Sequence, residues 1–239
     1  MGTRDGRADA AVWTDAALRA FWERELCFPE HYFSHKHGAR LTRALRPHIS
    51  GGDEVLDYGC GRGHLSERIC RDLGAEVWAT DSLQGALEAT NRLNASNPGF
   101  RGAVPIEEFR SAADRFDSIV AVEVLEHLAD DALRAFFDTA ARLLRISGRL
   151  IVTTPNRERL ASKEVLCPSC GIVFHRWQHV RSIDTEQLRA WGAAVGLELS
   201  QALETDFSGT RPRFGGGLFR RRPPGRPHLM GVFVRSGES

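Results

Sequence analysis

Short apolar runs alternate along the chain with apolar residues at helical spacing, beginning near residue 54. The runs predict strands, and the residues spaced three and four apart predict the helices between them. Because helices of ten or more residues join successive strands, βαβ units are indicated. We therefore expect an α/β fold with a doubly wound, mostly parallel sheet. The strands are expected at 54–57, 76–81, 118–122 and 150–152, near 102–106, and at 197–203 and 229–234.

Three segments lie outside this alternation. Residues 1–50 are predicted to form an N-terminal helical cap on a domain that occupies residues 51–239. Residues 161–181 form an insert before the last helix, and this insert is a candidate zinc-binding segment. Residues 211–226 contain six arginines and no acid. They form either a loop between the last two strands or an arm that contacts a polyanion.

Composition and charge narrow the range of functions. Hydrophobic residues make up 42% of the chain and charged residues 26%, as in an ordinary globular protein. The formal net charge of +1 argues against a protein that coats nucleic acid. No apolar run reaches 18 residues, so no membrane span is predicted. Five cysteines and an N-terminus without a signal sequence favour a reducing cytoplasm.

A glycine turn directly follows the first predicted strand. It reads D-Y-G-C-G-R-G over residues 57–63 and precedes a predicted helix. Glycines there let the backbone approach a ligand closely, and the free N–H groups at the start of the helix favour an anionic group. Asp81 ends the second strand, where it can accept hydrogen bonds from a ribose diol. Together these features predict a ligand site at the carboxyl ends of the strands.

The spacing of the turn is G-x-G-x-G with an acid two residues before the first glycine, unlike the dinucleotide-binding G-x-G-x-x-G. It resembles motif I of the class I S-adenosylmethionine-dependent methyltransferases. Asp81, the strand at 116–120 and the tract EVLEHL at 123–128 resemble the same family. The resemblance covers roughly residues 50–205. It implies a Rossmann-like fold and S-adenosylmethionine as methyl donor.

The resemblance also implies which residues hold the cofactor. The three glycines of the turn would line its methionine part, Asp57 would orient its amino group directly or through water, and Asp81 would hold its ribose. The family's adenine-recognising acid is not evident near residues 102–104. The expected cofactor set is Asp57, Gly59, Cys60, Gly61, Gly63, Asp81, Ser82 and Glu123.

The 123–128 tract supports two interpretations. Glu123, Glu126 and His127 would share one side of a helical turn. With His179 they resemble the metal site of small-RNA 3′-terminal 2′-O-methyltransferases. The tract equally resembles that of metal-free relatives such as the ubiquinone-pathway O-methyltransferases. In that interpretation Glu126 and His127 face the acceptor, and with His175 they are the candidate catalytic residues.

A second candidate metal site lies in the insert. Cys167, Cys170, His175 and His179 have the spacing C-x2-C-x4-H-x3-H, and zinc would fold such a loop. The alternatives are a redox-active pair, an ion with partners elsewhere, and two packed thiols. Because His179 cannot easily serve both sites, the two metal predictions partly exclude each other.

The predicted function is methyl transfer, at oxygen, from S-adenosylmethionine to a small-molecule or glycan acceptor. Arg176, Trp177 and Arg181 of the insert are candidates for holding an anionic or sugar-like acceptor. A metal-dependent RNA ribose 2′-O-methyltransferase that uses the two-glutamate, two-histidine set is the first alternative. A non-catalytic relative that binds the cofactor is the second. The low net charge weighs against RNA, and the sequence leaves the oligomeric state open.

Overall fold

The computed structural model describes residues 13–209 and 226–237. Within them, seven strands form one sheet and two more form a separate hairpin. The strands are β1 Glu54–Tyr58, β2 Glu76–Thr80, β3 Phe100–Ala103, β4 Phe116–Val122, β5 Leu144–Pro155, β6 Glu164–Leu166, β7 Val173–His175, β8 Leu197–Thr205 and β9 His228–Arg235. The predicted α/β fold is confirmed, and the weak strand expected near 102–106 is the short β3.

The strand order in the sheet is β3-β2-β1-β4-β5-β9-β8. The first five of these strands pair in parallel, whereas β9 is antiparallel to both β5 and β8. The chain leaves β1 toward one edge of the sheet and later returns beside it with β4. A crevice therefore opens at the carboxyl ends of β1 and β4, where such sheets bind their ligands.

Helices cover both faces of the sheet. They are α1 Asp15–Glu25, α2 Phe33–Leu45, α3 His64–Arg68 with a π-helical continuation Ile69–Leu73, α4 Gln84–Asn94, α5 Asp130–Leu143 and α6 Thr185–Ala193. Val55 packs in the cluster that contains residues of α2 and α3, and its neighbour Leu56 packs with α5 and α6. Strands buried on both faces must be apolar throughout, which explains the continuous runs in the sequence.

The segment predicted as an N-terminal cap, residues 1–50, contains α1 and α2. Thr14 Oγ1 accepts a hydrogen bond from Ala17 N at 3.2 Å and so caps α1. Residues 1–12 of the cap and residues 211–225 of the predicted basic loop lie outside the described part of the chain. No helix in the described ranges is long and apolar enough to cross a membrane.

The predicted insert lies between β5 and α6. It contains a 3-10 turn, Leu160–Lys163, and the two-stranded hairpin of β6 and β7. Its end is fixed by a capping box, in which Asp184 and Gln187 each bond the backbone N–H of the other. The insert thus returns to the sheet through a well-defined helix start.

Candidate active site

One cavity of about 1120 Å³ lies at the carboxyl ends of β1, β2, β4 and β5. The strand-end loops form one side of it, and α1, residues 31–37 and the insert form the other. Ligand cavities commonly measure about 300–1,000 Å³, so this one has room for a cofactor together with an acceptor.

The glycine turn is shaped by close contacts. Gly59 and Gly61 have left-handed backbones, with φ of 77° and 56°. A Cβ on Gly59 would lie 2.6 Å from Val124 Cγ2, and one on Gly61 would lie 2.5 Å from Tyr32 Cε1. Both positions line the cavity and both require glycine. Tyr32 belongs to the cap, so the cap rests directly on this turn.

Asp81 fixes the turn and also faces the cavity. Its Oδ2 accepts a hydrogen bond from Gly61 N at 2.9 Å, and its Oδ1 accepts one from Leu83 N at 3.1 Å. Burial raises the pKa of Asp81, although these N–H groups oppose the shift. Ser82 lines the cavity beside it. Asp81 thus lines the cavity beside the turn, where the predicted ribose contact would be made.

Two predicted cofactor residues support the turn from behind instead of lining the cavity. Asp57 is 1% exposed, and its Oδ2 accepts a hydrogen bond from Ser66 Oγ at 2.6 Å. Burial raises the pKa of Asp57 to about 6. Gly63 precedes α3 and packs on Thr90 of α4. Cys60 lines the cavity but turns its thiol toward Thr90 Oγ1, 3.4 Å away.

The 123–128 tract is not the regular helical turn that its spacing suggested. Glu123 has a left-handed φ of 53°, and a short 3-10 turn, Leu125–His127, follows. Glu123 Oε1 accepts a hydrogen bond from Thr153 Oγ1 at 3.0 Å, and Glu126 Oε2 accepts one from Thr154 Oγ1 at 3.1 Å. Burial raises the pKa of Glu123 to about 8 and that of Glu126 well above its usual range. Burial therefore favours the protonated form of both carboxyl groups.

His127 is where the tract, the cap and the insert meet. Its carbonyl oxygen accepts a hydrogen bond from Gln178 Nε2 at 3.2 Å, and Gln178 Oε1 accepts one from Trp22 Nε1 at 3.2 Å. The rings of His127 and Trp22 lie edge to face, 4.8 Å apart. Burial lowers the pKa of His127 to about 3, so its ring is neutral.

Two histidines of the insert share the carboxylate of Glu158. His179 Nδ1 contacts Glu158 Oε2, and His175 Nε2 lies 3.7 Å from Glu158 Oε1. His175 Nδ1 accepts hydrogen bonds from the backbone N–H groups of Trp177 and His179, at 3.3 and 3.1 Å. Only an unprotonated ring nitrogen can accept, so the proton of neutral His175 is on Nε2.

This arrangement corrects the catalytic contact predicted for His175. The side chains of Glu158 and His179 line the cavity, but His175 is 6% exposed and lies behind them. Glu126 and His127 do line the cavity, as a substrate-facing role requires. His175 therefore supports Glu158, and His179 is the histidine of the insert that a ligand can reach.

The four predicted zinc ligands are not brought together. In the hairpin, Glu164 pairs with His175, so Cys167 and Cys170 lie at the tip and His175 at the base. The rings of His175 and His179 are both directed to the carboxylate of Glu158. The pairing register thus separates the thiols from both histidines.

Two other groups have the composition of metal ligands. In the described ranges, the ligand atoms of Glu126, His127 and His179 lie within 4.8 Å of one another. The same holds for Glu158, His175 and His179. In the second group the proton on His175 Nε2 opposes coordination by that atom. The first group contains three of the four residues of the predicted Glu/Glu/His/His site.

The structure adds residues that sequence reasoning missed and, besides His175, it reassigns one of the acceptor candidates. Glu158 belongs to no sequence motif, so it was not among the candidate residues identified from the sequence. Glu107 lines the cavity in the 3-10 turn after β3, close to residues 102–104, where the family resemblance places an adenine-binding acid. Arg181, an acceptor candidate, instead donates to Leu128 O and Asp130 Oδ1. Trp177 lines the cavity as proposed.

The sheet order, the glycine turn and the acid after β2 define a class I S-adenosylmethionine-dependent methyltransferase. The chain belongs to the methyltransferase domain family, whose model matches residues 29–202. A ubiquinone biosynthesis O-methyltransferase of Rhizobium etli is 33% identical over 165 residues, which cover 66% of this chain and 64% of the relative. Its counterpart in Azorhizobium caulinodans is 32% identical over 70% of this chain and 66% of the relative. The chain thus spans slightly less than two thirds of these relatives.

Solved structures share the fold. The 1,6-didemethyltoxoflavin-N1-methyltransferase of Burkholderia thailandensis, solved with S-adenosylhomocysteine, superposes with a TM-score of 0.69 at 17% identity over 99% of each chain. An S-adenosylmethionine-dependent methyltransferase of Mesorhizobium loti superposes with a TM-score of 0.59 at 18% identity over 83% of this chain and 98% of the other.

Proposed function

We propose that the chain transfers the methyl group of S-adenosylmethionine to a hydroxyl oxygen of a small-molecule or glycan acceptor. The observation that supports this most directly is that the glycine turn and the Glu158–His179 pair line the same cavity. The names of the curated relatives, ubiquinone biosynthesis O-methyltransferases, favour oxygen as the methylated atom. A cytoplasmic location is part of the proposal, and the five free thiols are consistent with it.

The residues of the turn fit the cofactor. S-adenosylmethionine, when bound, would supply a sulfonium methyl group whose carbon a nucleophile attacks in line, with the thioether sulfur as the leaving group. Gly59 and Gly61 leave the space that a side chain would fill, so the backbone can approach the methionine part. Asp81 presents a carboxylate to the ribose hydroxyls, and Glu107 is our candidate for the adenine contact. Asp57, behind the turn, holds the start of α3 through Ser66.

His179 is the proton acceptor in this proposal. Burial acts to raise the pKa of Glu158, but the hydrogen bond from His179 and the nearby positive charge, including that of Lys163, outweigh it and hold that pKa below its usual value. Glu158 accepts a hydrogen bond from His179 Nδ1, so the neutral ring that acts as base has its lone pair on Nε2. When the acceptor hydroxyl is methylated, Nε2 of His179 would take the hydroxyl proton. A carboxylate on the far side of the ring orients it and stabilises the imidazolium.

The second candidate function is metal-dependent ribose 2′-O-methylation of RNA. The observation in its favour is the proximity of Glu126, His127 and His179, whose oxygen and nitrogen ligands suit Mg, Mn, Co or Zn. In that case the ion, rather than a histidine, would acidify the hydroxyl.

One experiment separates the two. The protein would be given methyl-labelled S-adenosylmethionine with a panel of polyphenols, sugars and short RNA, with and without EDTA. We expect label in a small hydroxyl compound that persists in EDTA. Labelled RNA that appears only when Mg²⁺ or Mn²⁺ is restored would favour the second candidate. Binding of S-adenosylhomocysteine without transfer to any compound would indicate the non-catalytic alternative.

A further inference from the structure

The tip of the β6–β7 hairpin is a turn that contains two thiols. Cys167 N donates to Ile172 O at 2.8 Å, and Gly171 N donates to Cys167 O at 2.9 Å. Gly171 has a left-handed φ of 70° and open space around it. The N–H groups of Cys170 and Ser169 and the thiol of Cys170 approach the sulfur of Cys167. Two cysteines separated by two residues on one turn have the spacing of half a tetrahedral zinc site.

The hairpin supplies only two ligands, and a structural zinc ion takes four. In the described ranges no third ligand atom groups with the two sulfurs within 4.8 Å. Cys60 and Cys70 are buried in the core. Residues 1–12, 210–225 and 238–239, which the structure does not describe, contain no cysteine and no histidine in their sequence. One copy of the chain therefore does not complete a nitrogen and sulfur site at this turn.

We propose that two copies of the chain share one zinc ion, which is bound by Cys167 and Cys170 of each copy. A two-fold axis through the ion brings the same turn from both copies, as in most homodimers. Apolar side chains flank the ligands: Leu166 is 61% exposed and Ile172 is 36% exposed. Burial of these side chains between the two copies adds hydrophobic stabilisation to the metal bonds.

A second copy of the chain is favoured as the source of the other two zinc ligands, because it supplies the same two cysteines on a turn of the same shape. The turn is held by its own backbone hydrogen bonds, so it does not depend on the active-site contacts at the base of the hairpin. The bridge is therefore independent of the proposed chemistry at His179, and each can fail without the other.

The test is metal content and molar mass of the full chain, measured together. With Zn²⁺ as the probe, we expect one zinc per two chains and a dimer by light scattering, and a monomer after EDTA. Cys170→Ser should lose both the zinc and the dimer yet keep S-adenosylhomocysteine binding, because neither thiol of the hairpin lines the cavity. Cys27→Ser is the matched control, since Cys27 is an exposed thiol outside the hairpin.

Cobalt substitution provides an independent readout. Thiolate-to-cobalt absorption per metal should correspond to four thiolates in the wild type, and Leu166→Asp should weaken the dimer without removing a ligand. One zinc per chain in a monomer, a dimer that persists unchanged in EDTA, or no zinc retained at micromolar Zn²⁺ would each overturn the proposal. An intrachain disulfide between Cys167 and Cys170 in reducing buffer would overturn it as well.

Discussion

The two halves of the cavity are built in different ways. The cofactor half is a local structure: the glycine turn and the strand ends beside it are held largely by backbone hydrogen bonds, and Asp81 bonds Gly61 across only twenty positions. The acceptor half combines the cap, the 123–128 tract and the insert. Trp22 of the cap donates a hydrogen bond to Gln178 of the insert, although the two residues are 156 positions apart in sequence.

The difference teaches where function is specified. The cofactor half relies on positions where only glycine fits, and it tolerates little variation. The acceptor half relies on side chains whose ionisation is set by burial and by one another, such as Glu158 between two histidines. A different acceptor can therefore be accommodated by changing the insert while the glycine turn stays the same.

The largest expected effect comes from breaking the acceptor half at His179. His179→Gln removes the proton acceptor but keeps a polar side chain, so kcat for the hydroxyl acceptor should fall about 100-fold or more. Affinity for S-adenosylhomocysteine, measured by calorimetry, should be unchanged. His48→Gln, outside the cavity, is the control. Equal losses of kcat and of cofactor affinity would show that His179 is only structural.

Breaking the cofactor half should give the opposite pattern. Gly61→Ala places a Cβ 2.5 Å from Tyr32 Cε1 on a backbone with φ of 56°. The turn must shift, and affinity for S-adenosylhomocysteine should fall about 5- to 150-fold, as about 1–3 kcal/mol of strain implies.

Gly196→Ala tests this explanation. Gly196 has φ of 76°, and a Cβ added there would have no neighbouring atom within 4 Å. The variant should lower the free energy of unfolding through backbone strain and leave cofactor affinity intact. If both variants lost affinity to the same extent, close contact at Gly61 would not be the reason.

The free energy of unfolding should depend on pH through two buried groups of the acceptor half, Glu123 and His127. The pKa of Glu123 rises from 4.5 to about 8 on folding, so its contribution to stability is full below pH 4.5 and is lost as pH rises through 8. His127 has the opposite sign, because its pKa is lowered from 6.5 to about 3, and its contribution is complete above pH 6.5. Between pH 6.5 and 8.5 the wild type should therefore lose stability, on the order of 1–2 kcal/mol.

Thermal melts across that window test this prediction. Glu123→Gln should make the decline in Tm shallower, because the amide does not ionise, and Glu126, whose pKa is also raised, should account for the decline that remains. Glu198→Gln, on the exposed side of β8, should leave the decline unchanged. A decline of the same slope in Glu123→Gln would assign the effect to other groups.

The smallest expected effect concerns the link between cap and insert. Trp22→Phe keeps a ring beside His127 but removes the hydrogen bond to Gln178. One neutral hydrogen bond contributes about 1 kcal/mol, so the KM of the acceptor should rise about fivefold with kcat nearly constant. Leu18→Ala on the same helix, which removes no hydrogen bond, is the comparison variant. An unchanged KM in Trp22→Phe would mean that the cap does not position the acceptor.

The sequence predicted the sheet and the cofactor half well because their signals are local. Apolar runs indicated the buried strands, and the spacing of Gly59, Gly61 and Gly63 indicated the turn. It could not show which of these residues line the cavity, because Asp57 and Gly63 are adjacent in sequence to those that do. That distinction depends on the packing of α3 and α4.

The acceptor half was predicted only in part. Glu126, His127 and His179 were recognised as chemistry-bearing residues, but Glu158 was missed because its partner His179 lies 21 positions away and no motif joins them. The zinc spacing also misled, since it assumed a compact loop. Pairing of Glu164 with His175 extends the segment into a hairpin and separates the thiols from the histidines.

The contact between Tyr32 and the glycine turn has a kinetic consequence. Tyr32 rests on Gly61, and Trp22 of the same cap is bonded to Gln178 beside the acceptor space. Because one segment contacts both the cofactor turn and the acceptor space, we expect exchange of the donor to require movement of the cap. Binding should then be ordered, with the donor first and the demethylated donor leaving last, after the methylated acceptor.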